Sequence, residues 1–195
     1  MKPVLRNVIT LGAIIAVIGV AAVVTKNRRA EPPQVGDAPK APSIDWTVTK
    51  PAYDGDTITV ARNGEKLKVR FACIDAPELA QPLGKESRDY LRSLISSSRG
   101  IDGSRGKVGL NIVKSDRYGR SVAEVWVDTP QRGKELVQSL MVVKGLAYAY
   151  EQYKDDCPTW EGVKSAQDSA KQLRLGVWGG NHQEPWAYRR QKRSK

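Results

Sequence analysis

The feature that most constrains the fold is a pair of strand-like segments joined by the dipeptide Asn63-Gly64. Residues 57–62 are rich in β-branched side chains, and residues 66–74 begin with basic and apolar side chains in alternation. Asn-Gly is strongly favoured at two-residue hairpin turns, and alternation with period two is typical of a strand with one buried face. The sequence therefore predicts a β-hairpin whose second strand turns its apolar side chains to the core and Arg70 away from it.

Further secondary structure is predicted on both sides of this hairpin. β-Branched and aromatic runs indicate strands, and period-3.6 patterns with capping signals indicate helices. The further strands are expected at residues 45–52, 108–112 and 122–127, and the helices at residues 85–97, 134–144 and 158–175. Five strands interrupted and followed by helices predict an α+β fold, in which about three helices pack on a small closed five-stranded β-barrel.

The first thirty residues predict a hydrophobic helix that anchors or targets the chain. Two basic residues precede an uncharged run from Asn7 to Thr25, and three follow it. The apolar part, residues 8–24, would cover about 25 Å of a hydrocarbon core about 30 Å thick. An uncleaved membrane anchor with an extracytoplasmic domain is favoured over a cleaved signal peptide and a secreted protein, because the small-residue site Val20-Ala21-Ala22 lies inside the apolar run.

The rest of the chain divides into three parts. Residues 31–43 contain four prolines and predict an extended linker. Residues 44–180 contain the strand and helix patterns and have the length of one ordinary domain. Residues 181–195 predict a basic C-terminal tail.

The net charge of +11 indicates little about function because it lies at the two ends of the chain. Residues 1–30 and residues 189–195 each contain five basic side chains and no acidic one, which leaves 22 basic and 21 acidic groups between them. Basic ends suit membrane orientation and solubility as well as nucleic-acid binding. The lone His182 lacks the surroundings of a catalytic triad, and two cysteines with one histidine are too few for a structural zinc site.

Acidic side chains and an arginine are concentrated around the hairpin. Asp54 and Asp56 precede its first strand, Asp75 and Glu78 follow its second, and Arg70 lies within it. Hairpin pairing would bring the two acidic groups together, and clustered carboxylate oxygens are the ligands that hard divalent cations prefer. A cation and an arginine fork together stabilise charge on a phosphate. Each acidic motif alone is also typical of an ordinary turn, so the combination carries the inference.

Three motifs in order resemble the signature of the thermonuclease family, the staphylococcal nuclease-like proteins. They are Asp54-Gly55-Asp56-Thr57, the segment from Arg70 to Glu78 and the segment from Asp116 to Arg120. The resemblance runs from about Trp46 to Trp178. It implies an OB-fold barrel that hydrolyses DNA and RNA with calcium and leaves the phosphate on the 3′ side of the cut.

The resemblance also implies roles for individual residues. The expected catalytic residues, which hold the scissile phosphate or act on the attacking water, are Arg70, Arg120 and Glu78. The expected Ca²⁺ ligands, two through carboxylates and one through its backbone carbonyl, are Asp56, Asp75 and Ala76. Tyr118 is an expected substrate contact, and the residues leave a second tyrosine open among Tyr148, Tyr150 and Tyr153.

Two other functions remain open at this point. A barrel of this kind also serves as a catalytically inactive nucleic-acid-binding module, and the basic ends also suit a membrane-tethered interaction protein. No obligate protein partner is evident, so a monomer is expected. Cys73 and Cys157 form either one disulfide in an oxidising compartment or two buried thiols.

Overall fold

A computed structural model describes residues 41–194. The predicted hydrophobic segment 1–30 and nearly all of the linker 31–43 lie outside these residues. Among the residues described, no helix is both long enough and apolar enough to cross a membrane.

Eight strands and four α-helices make up the described part of the chain. The strands are β1 (Trp46–Lys50), β2 (Thr57–Arg62), β3 (Glu65–Phe71), β4 (Ile74–Asp75), β5 (Lys107–Ser115), β6 (Ser121–Thr129), β7 (Gly133–Leu136) and β8 (Tyr148–Ala149). The α-helices are α1 (Gly84–Ser97), α2 (Val137–Val143), α3 (Trp160–Gln172) and α4 (Pro185–Arg193), and short 3-10 helices span Glu151–Asp156 and Gly176–Trp178.

Five of the strands form a closed circuit. Antiparallel neighbours follow the order β3, β2, β1, β5 and β6, and a parallel pairing between β3 and β6 joins the two ends. The α+β class is confirmed, and the circuit matches the small closed barrel that the sequence predicts. Strand β7 extends the sheet beyond β6, and β4 pairs with β8 in a separate two-stranded sheet.

The β2–β3 hairpin forms where the sequence places it. Arg62 pairs with Glu65, so Asn63 and Gly64 form a two-residue turn, with φ angles of 50° and 83°. This left-handed backbone suits asparagine and glycine better than other residues. The apolar side chains of β3 face the core, where Val69 and Phe71 are fully buried.

The predicted helix at residues 134–144 is wrong in its first part. Gly133–Leu136 is strand β7, which pairs antiparallel with the end of β6, and only Val137–Val143 is helical. Pairing with a neighbouring strand supplies backbone hydrogen bonds that a short helical pattern cannot outweigh. A second difference is α4, which lies within the segment predicted as a basic tail.

Strand β6 and helix α3 are joined by a buried carboxylate. Glu124 is completely buried, and one of its oxygens accepts hydrogen bonds from the backbone N–H and the hydroxyl of Thr159, at 2.9 and 2.6 Å. Its other oxygen accepts from Asn111 at 2.9 Å. Three donors therefore compensate for removing this charge from water, and they fix the start of α3 against the barrel.

A disulfide links Cys73 to Cys157, whose Cα atoms are 5.2 Å apart and which are separated by 84 positions in the sequence. Cys73 directly precedes β4, and Cys157 lies just before α3. The crosslink therefore ties the strand that contains Asp75 to the helical part of the domain.

Candidate active site

Two carboxylates that are far apart in the chain meet beside the hairpin. Asp56 directly precedes β2 and Asp75 ends β4, and both are almost completely buried, with exposed fractions of 2% and 0%. The backbone oxygen of Asp56 accepts from the N–H of Phe71 at 2.9 Å. Its side-chain Oδ2 accepts from the N–H of Ala76 at 2.7 Å. Backbone pairing and this side-chain contact hold Asp56 beside β4.

Glycine at position 55 allows this close approach. A Cβ atom at Gly55 would lie 1.9 Å from the Ser87 hydroxyl oxygen and 2.7 Å from the Cβ of Ala76. Neither separation is compatible with van der Waals contact. The turn that presents Asp56 can therefore lie against α1 and β4 only when residue 55 has no side chain.

The Arg70 guanidinium bridges the two carboxylates. Its Nη1 donates to Oδ1 of Asp56, and its Nη2 donates to Oδ1 of Asp75 at 2.5 Å. The hairpin register explains this position, because Arg70 pairs with Thr57, the residue after Asp56. The resemblance assigns Arg70 to the phosphate, whereas in the structure its guanidinium contacts both expected metal ligands.

The electrostatics of Asp56 reflect its burial. Removal from water raises the pKa of Asp56 to about 7, even though the charge of Arg70 acts to lower it. The negative charges of Asp54 and Asp75 raise the same pKa further. Burial and the neighbouring carboxylates therefore oppose ionisation of Asp56 more strongly than Arg70 favours it.

Arg189 is the residue of the site that the motifs did not identify. It lies on α4, and its Nη2 donates to Oδ2 of Asp75 at 2.6 Å, while its Nη1 donates to Oδ1 of Asp75 at 3.0 Å and to Oε1 of Glu78 at 2.9 Å. Burial lowers the pKa of Arg189, but the hydrogen bonds to both carboxylates outweigh it and raise the pKa above its usual value. The only signal in the sequence was the basic cluster at residues 189–195, which does not specify a partner.

Glu78 is fixed through its backbone and remains open to solvent. Its N–H donates to Oε1 of Gln81 at 2.9 Å, and Nε2 of Gln81 donates to the carbonyl of Gln183 at 2.7 Å. The side chain of Glu78 is 37% exposed, in contrast to the buried Asp75. Of the expected acidic residues, Glu78 is therefore the one that water reaches most readily.

Arg120 and Tyr118 lie at the turn that joins β5 to β6. The parallel register pairs Arg70 of β3 with Val122 of β6. Arg120 directly precedes β6 and lies two positions before Val122, so it falls on the same face as Arg70. Its Nε donates to Oδ2 of Asp116 at 2.7 Å, and its guanidinium lies 5.6 Å from the ring centre of Tyr118. The structure thus places Arg120 beside the strand of Arg70, but its guanidinium pairs with Asp116 and not with the acidic cluster.

The three candidate tyrosines have different surroundings. Tyr148 is buried and packs edge-on against Trp178 and Trp186, and burial raises its pKa to about 12. Tyr153 is 46% exposed. Burial and the charge of Asp75 both raise the pKa of Tyr150, which stacks on Trp186. Tyr150 is therefore the candidate whose electrostatic environment includes the acidic cluster.

The relationship of the chain to known proteins agrees with this geometry. The family model described as Staphylococcal nuclease homologue matches residues 68–180, more than half of the chain. The chain belongs to this family. The matched residues include Arg70, Asp75, Glu78 and Arg120, while Asp56 precedes them and Arg189 follows them.

Several curated proteins are similar to this chain over most of their own length. A protein named Micrococcal nuclease from Shigella flexneri is 35% identical over 142 residues, which are 70% of this chain and 76% of the relative. An uncharacterized endonuclease from Haemophilus influenzae is 36% identical over 142 residues, 72% and 70% of the two chains. The Thermonuclease of Staphylococcus hyicus is 30% identical over 131 residues, 64% and 70% of the two chains.

Proposed function

We propose that this chain is a calcium-dependent nuclease that hydrolyses phosphodiester bonds of DNA and RNA. Its membership of the staphylococcal nuclease homologue family supports nuclease activity. One structural observation carries the rest of the proposal. Two buried carboxylates from separate segments of the chain, those of Asp56 before β2 and Asp75 in β4, meet at one guanidinium beside the solvent-open Glu78.

The donor set fits a hard divalent cation. Carboxylate oxygens are the ligands that calcium prefers, and the site offers buried ones from Asp56 and Asp75. Four acidic side chains, Asp54, Asp56, Asp75 and Glu78, surround two guanidiniums, those of Arg70 and Arg189. With all four carboxyl groups ionised, two negative charges remain, and one divalent cation would balance them. The carboxylates of Asp56 and Asp75 and the backbone carbonyl of Ala76 would hold calcium, which when bound screens the charge of the phosphate.

The side chains of the chain itself supply the other parts of the reaction. Guanidinium forks grip two phosphate oxygens at once and stabilise charge that builds on them, which is the role we assign to Arg70 and Arg120. Glu78 would orient or deprotonate the attacking water, because it is the exposed carboxylate at the edge of the cluster. Tyr118, which is 68% exposed beside Arg120, would contact the substrate.

We also propose that the catalytic domain lies outside the cytoplasm, anchored by residues 1–30 or secreted if that segment is cleaved. The charge and hydropathy pattern of the segment supports export, and the Cys73–Cys157 disulfide supports an oxidising compartment.

The decisive experiment compares cleavage of single-stranded DNA and of RNA by the full-length chain, purified in a mild detergent, with calcium and with EGTA. Cleavage in calcium and none in EGTA is expected. The Glu78→Gln variant keeps the shape of the side chain but cannot accept a proton, so its kcat should fall about 10²–10⁴-fold.

Two outcomes would contradict the proposal in different ways. Tight DNA binding with no cleavage under any metal condition would favour the binding-module alternative. Full activity of the Glu78→Gln variant would show that the carboxylate has no role in the chemistry.

A further inference from the structure

Helix α4 is firmly held beside the candidate active site. Pro185 at its start is buried, and Trp186 stacks on Tyr150 with ring centres 5.0 Å apart and planes 16° from parallel. Arg189 on the next turn binds Asp75 and Glu78. These contacts hold α4 at both its N-terminal end and its middle, so its C-terminal turn has a defined position.

An open groove of about 420 Å³ runs between α4 and the turn that contains Tyr53. Tyr188, Arg189, Lys192 and Arg193 line its α4 side, and Asp54 and Glu78 lie where it meets the acidic cluster. We call this cleft the α4 groove. Its volume falls in the range of small-ligand sites, and it is continuous with the residues to which the cleavage chemistry is assigned.

The α4 groove has free positive charge and an exposed aromatic ring. Two carboxylates pair with Arg189, whereas neither Lys192 nor Arg193 forms an ion pair with any carboxylate among residues 41–194. Lys192 lies over the ring of Tyr188, with its Nζ 5.0 Å from the ring centre. Tyr53 is 75% exposed on the opposite side. Unpaired cations beside exposed rings are the combination that binds single-stranded nucleic acids.

We propose that the α4 groove is a second substrate subsite, which binds one nucleotide of a single strand next to the scissile phosphate. Lys192 and Arg193 hold its phosphate, and Tyr53 stacks on its base. The expected ligand is a single strand, because its bases are free to stack on a tyrosine ring, whereas the bases of a duplex already stack on one another. The assignment rests on the proposed nuclease function. The three residues assigned to nucleotide binding, Tyr53, Lys192 and Arg193, lie outside residues 68–180, the part of the chain that matches the family.

The test measures binding of a 5′-fluorescein-labelled thymidine octanucleotide to the full-length chain in EGTA, across a range of salt concentrations. Arg193→Ala should raise Kd about three- to fivefold and reduce the slope of log K against log salt by about 0.7, the value for one phosphate contact on a single strand. Tyr53→Ala should weaken binding about fivefold and leave the salt slope unchanged, because stacking releases no counterions.

Arg190→Ala is the matched control. Arg190 is the same residue type on the same helix and is exposed, but it does not line the α4 groove. We expect its Kd to change less than twofold. Circular dichroism of each variant checks that α4 remains folded.

The possible results separate the subsite from the nuclease function. Weaker oligonucleotide binding by Arg193→Ala and Tyr53→Ala, but not by Arg190→Ala, supports the subsite. This holds even if the wild-type chain cuts nothing, and in that case only the nuclease proposal fails. Equal weakening of oligonucleotide binding by Arg193→Ala and Arg190→Ala would overturn the subsite, because binding would then depend on the overall positive charge of α4 and not on the groove. Unchanged oligonucleotide binding with reduced binding to phosphatidylserine vesicles would overturn it in favour of a lipid surface.

Discussion

At the scale of single residues, Asp75 determines the character of the site. It has no exposed surface, yet its two oxygens accept hydrogen bonds from the guanidiniums of Arg70 and Arg189. A buried charge is tolerated only when partners satisfy it, and planar arginine forks do so with defined geometry. The guanidiniums of Arg70 and Arg189 therefore help to hold the Asp75 carboxylate in place.

Arg70→Lys should lower kcat/KM about 10²–10³-fold. A lysine provides one point charge and cannot bridge Asp56 and Asp75 with two parallel donors, nor grip a phosphate as a fork. The measurement is steady-state cleavage of single-stranded DNA, with thermal unfolding as a check of folding. Arg62→Lys is the control, because Arg62 pairs with Asp45 outside the site and should lose little activity. More than half of the activity remaining in Arg70→Lys would contradict the assigned role.

Asp56 should make the stability of the protein depend on pH. Burial raises its pKa to about 7, well above the usual value of 3.8. Between these two values the Asp56 carboxyl holds a proton in the folded chain and releases it in the unfolded chain. Its contribution to stability is therefore highest below pH 4, and it is lost as the pH rises through about 7. Urea unfolding in EGTA should show this decline in the wild type, and Asp56→Asn, which cannot ionise, should lack that component. Parallel pH profiles for both proteins would contradict it.

At the scale of elements, local signals account for what the sequence could predict. The β2–β3 hairpin needs only its own residues, because Asn63-Gly64 sets the turn and alternation sets the buried face. Strand β7 was missed because its pairing with β6 is a tertiary contact that the local pattern does not encode. Arg189 was missed because its contact with Asp75 is also tertiary and joins residues that are 114 positions apart in the sequence.

Glu124→Gln should reduce the free energy of unfolding by about 2 kcal/mol. The three groups that hydrogen-bond to Glu124, from Thr159 and Asn111, all act as donors. The amide of glutamine would turn its own N–H group towards one of them. Urea denaturation measures the change. Glu161→Gln on the exposed face of α3 should change stability by less than about 0.5 kcal/mol. Equal effects of the two substitutions would show that the buried network contributes nothing specific.

At the scale of the whole molecule, the Cys73–Cys157 disulfide closes a loop that includes α1, α2 and two of the five barrel strands, β5 and β6. Replacing both cysteines by alanine should lower the free energy of unfolding by about 4 kcal/mol, because a crosslink across 84 positions restricts the unfolded chain. Urea denaturation with and without dithiothreitol measures this. Dithiothreitol should destabilise the wild type to a similar degree and leave the double variant unchanged. A double variant as stable as the oxidised wild type would contradict the expectation.

The contact between Arg189 and the acidic cluster has a consequence for the order in which the protein is made. Asp75 and Glu78 leave the ribosome long before Arg189, which follows Glu78 by 111 positions in the sequence. A nascent polypeptide therefore displays these carboxylates without their helical partner until α4 has been synthesised. The centre reaches its final arrangement only after α4 has emerged.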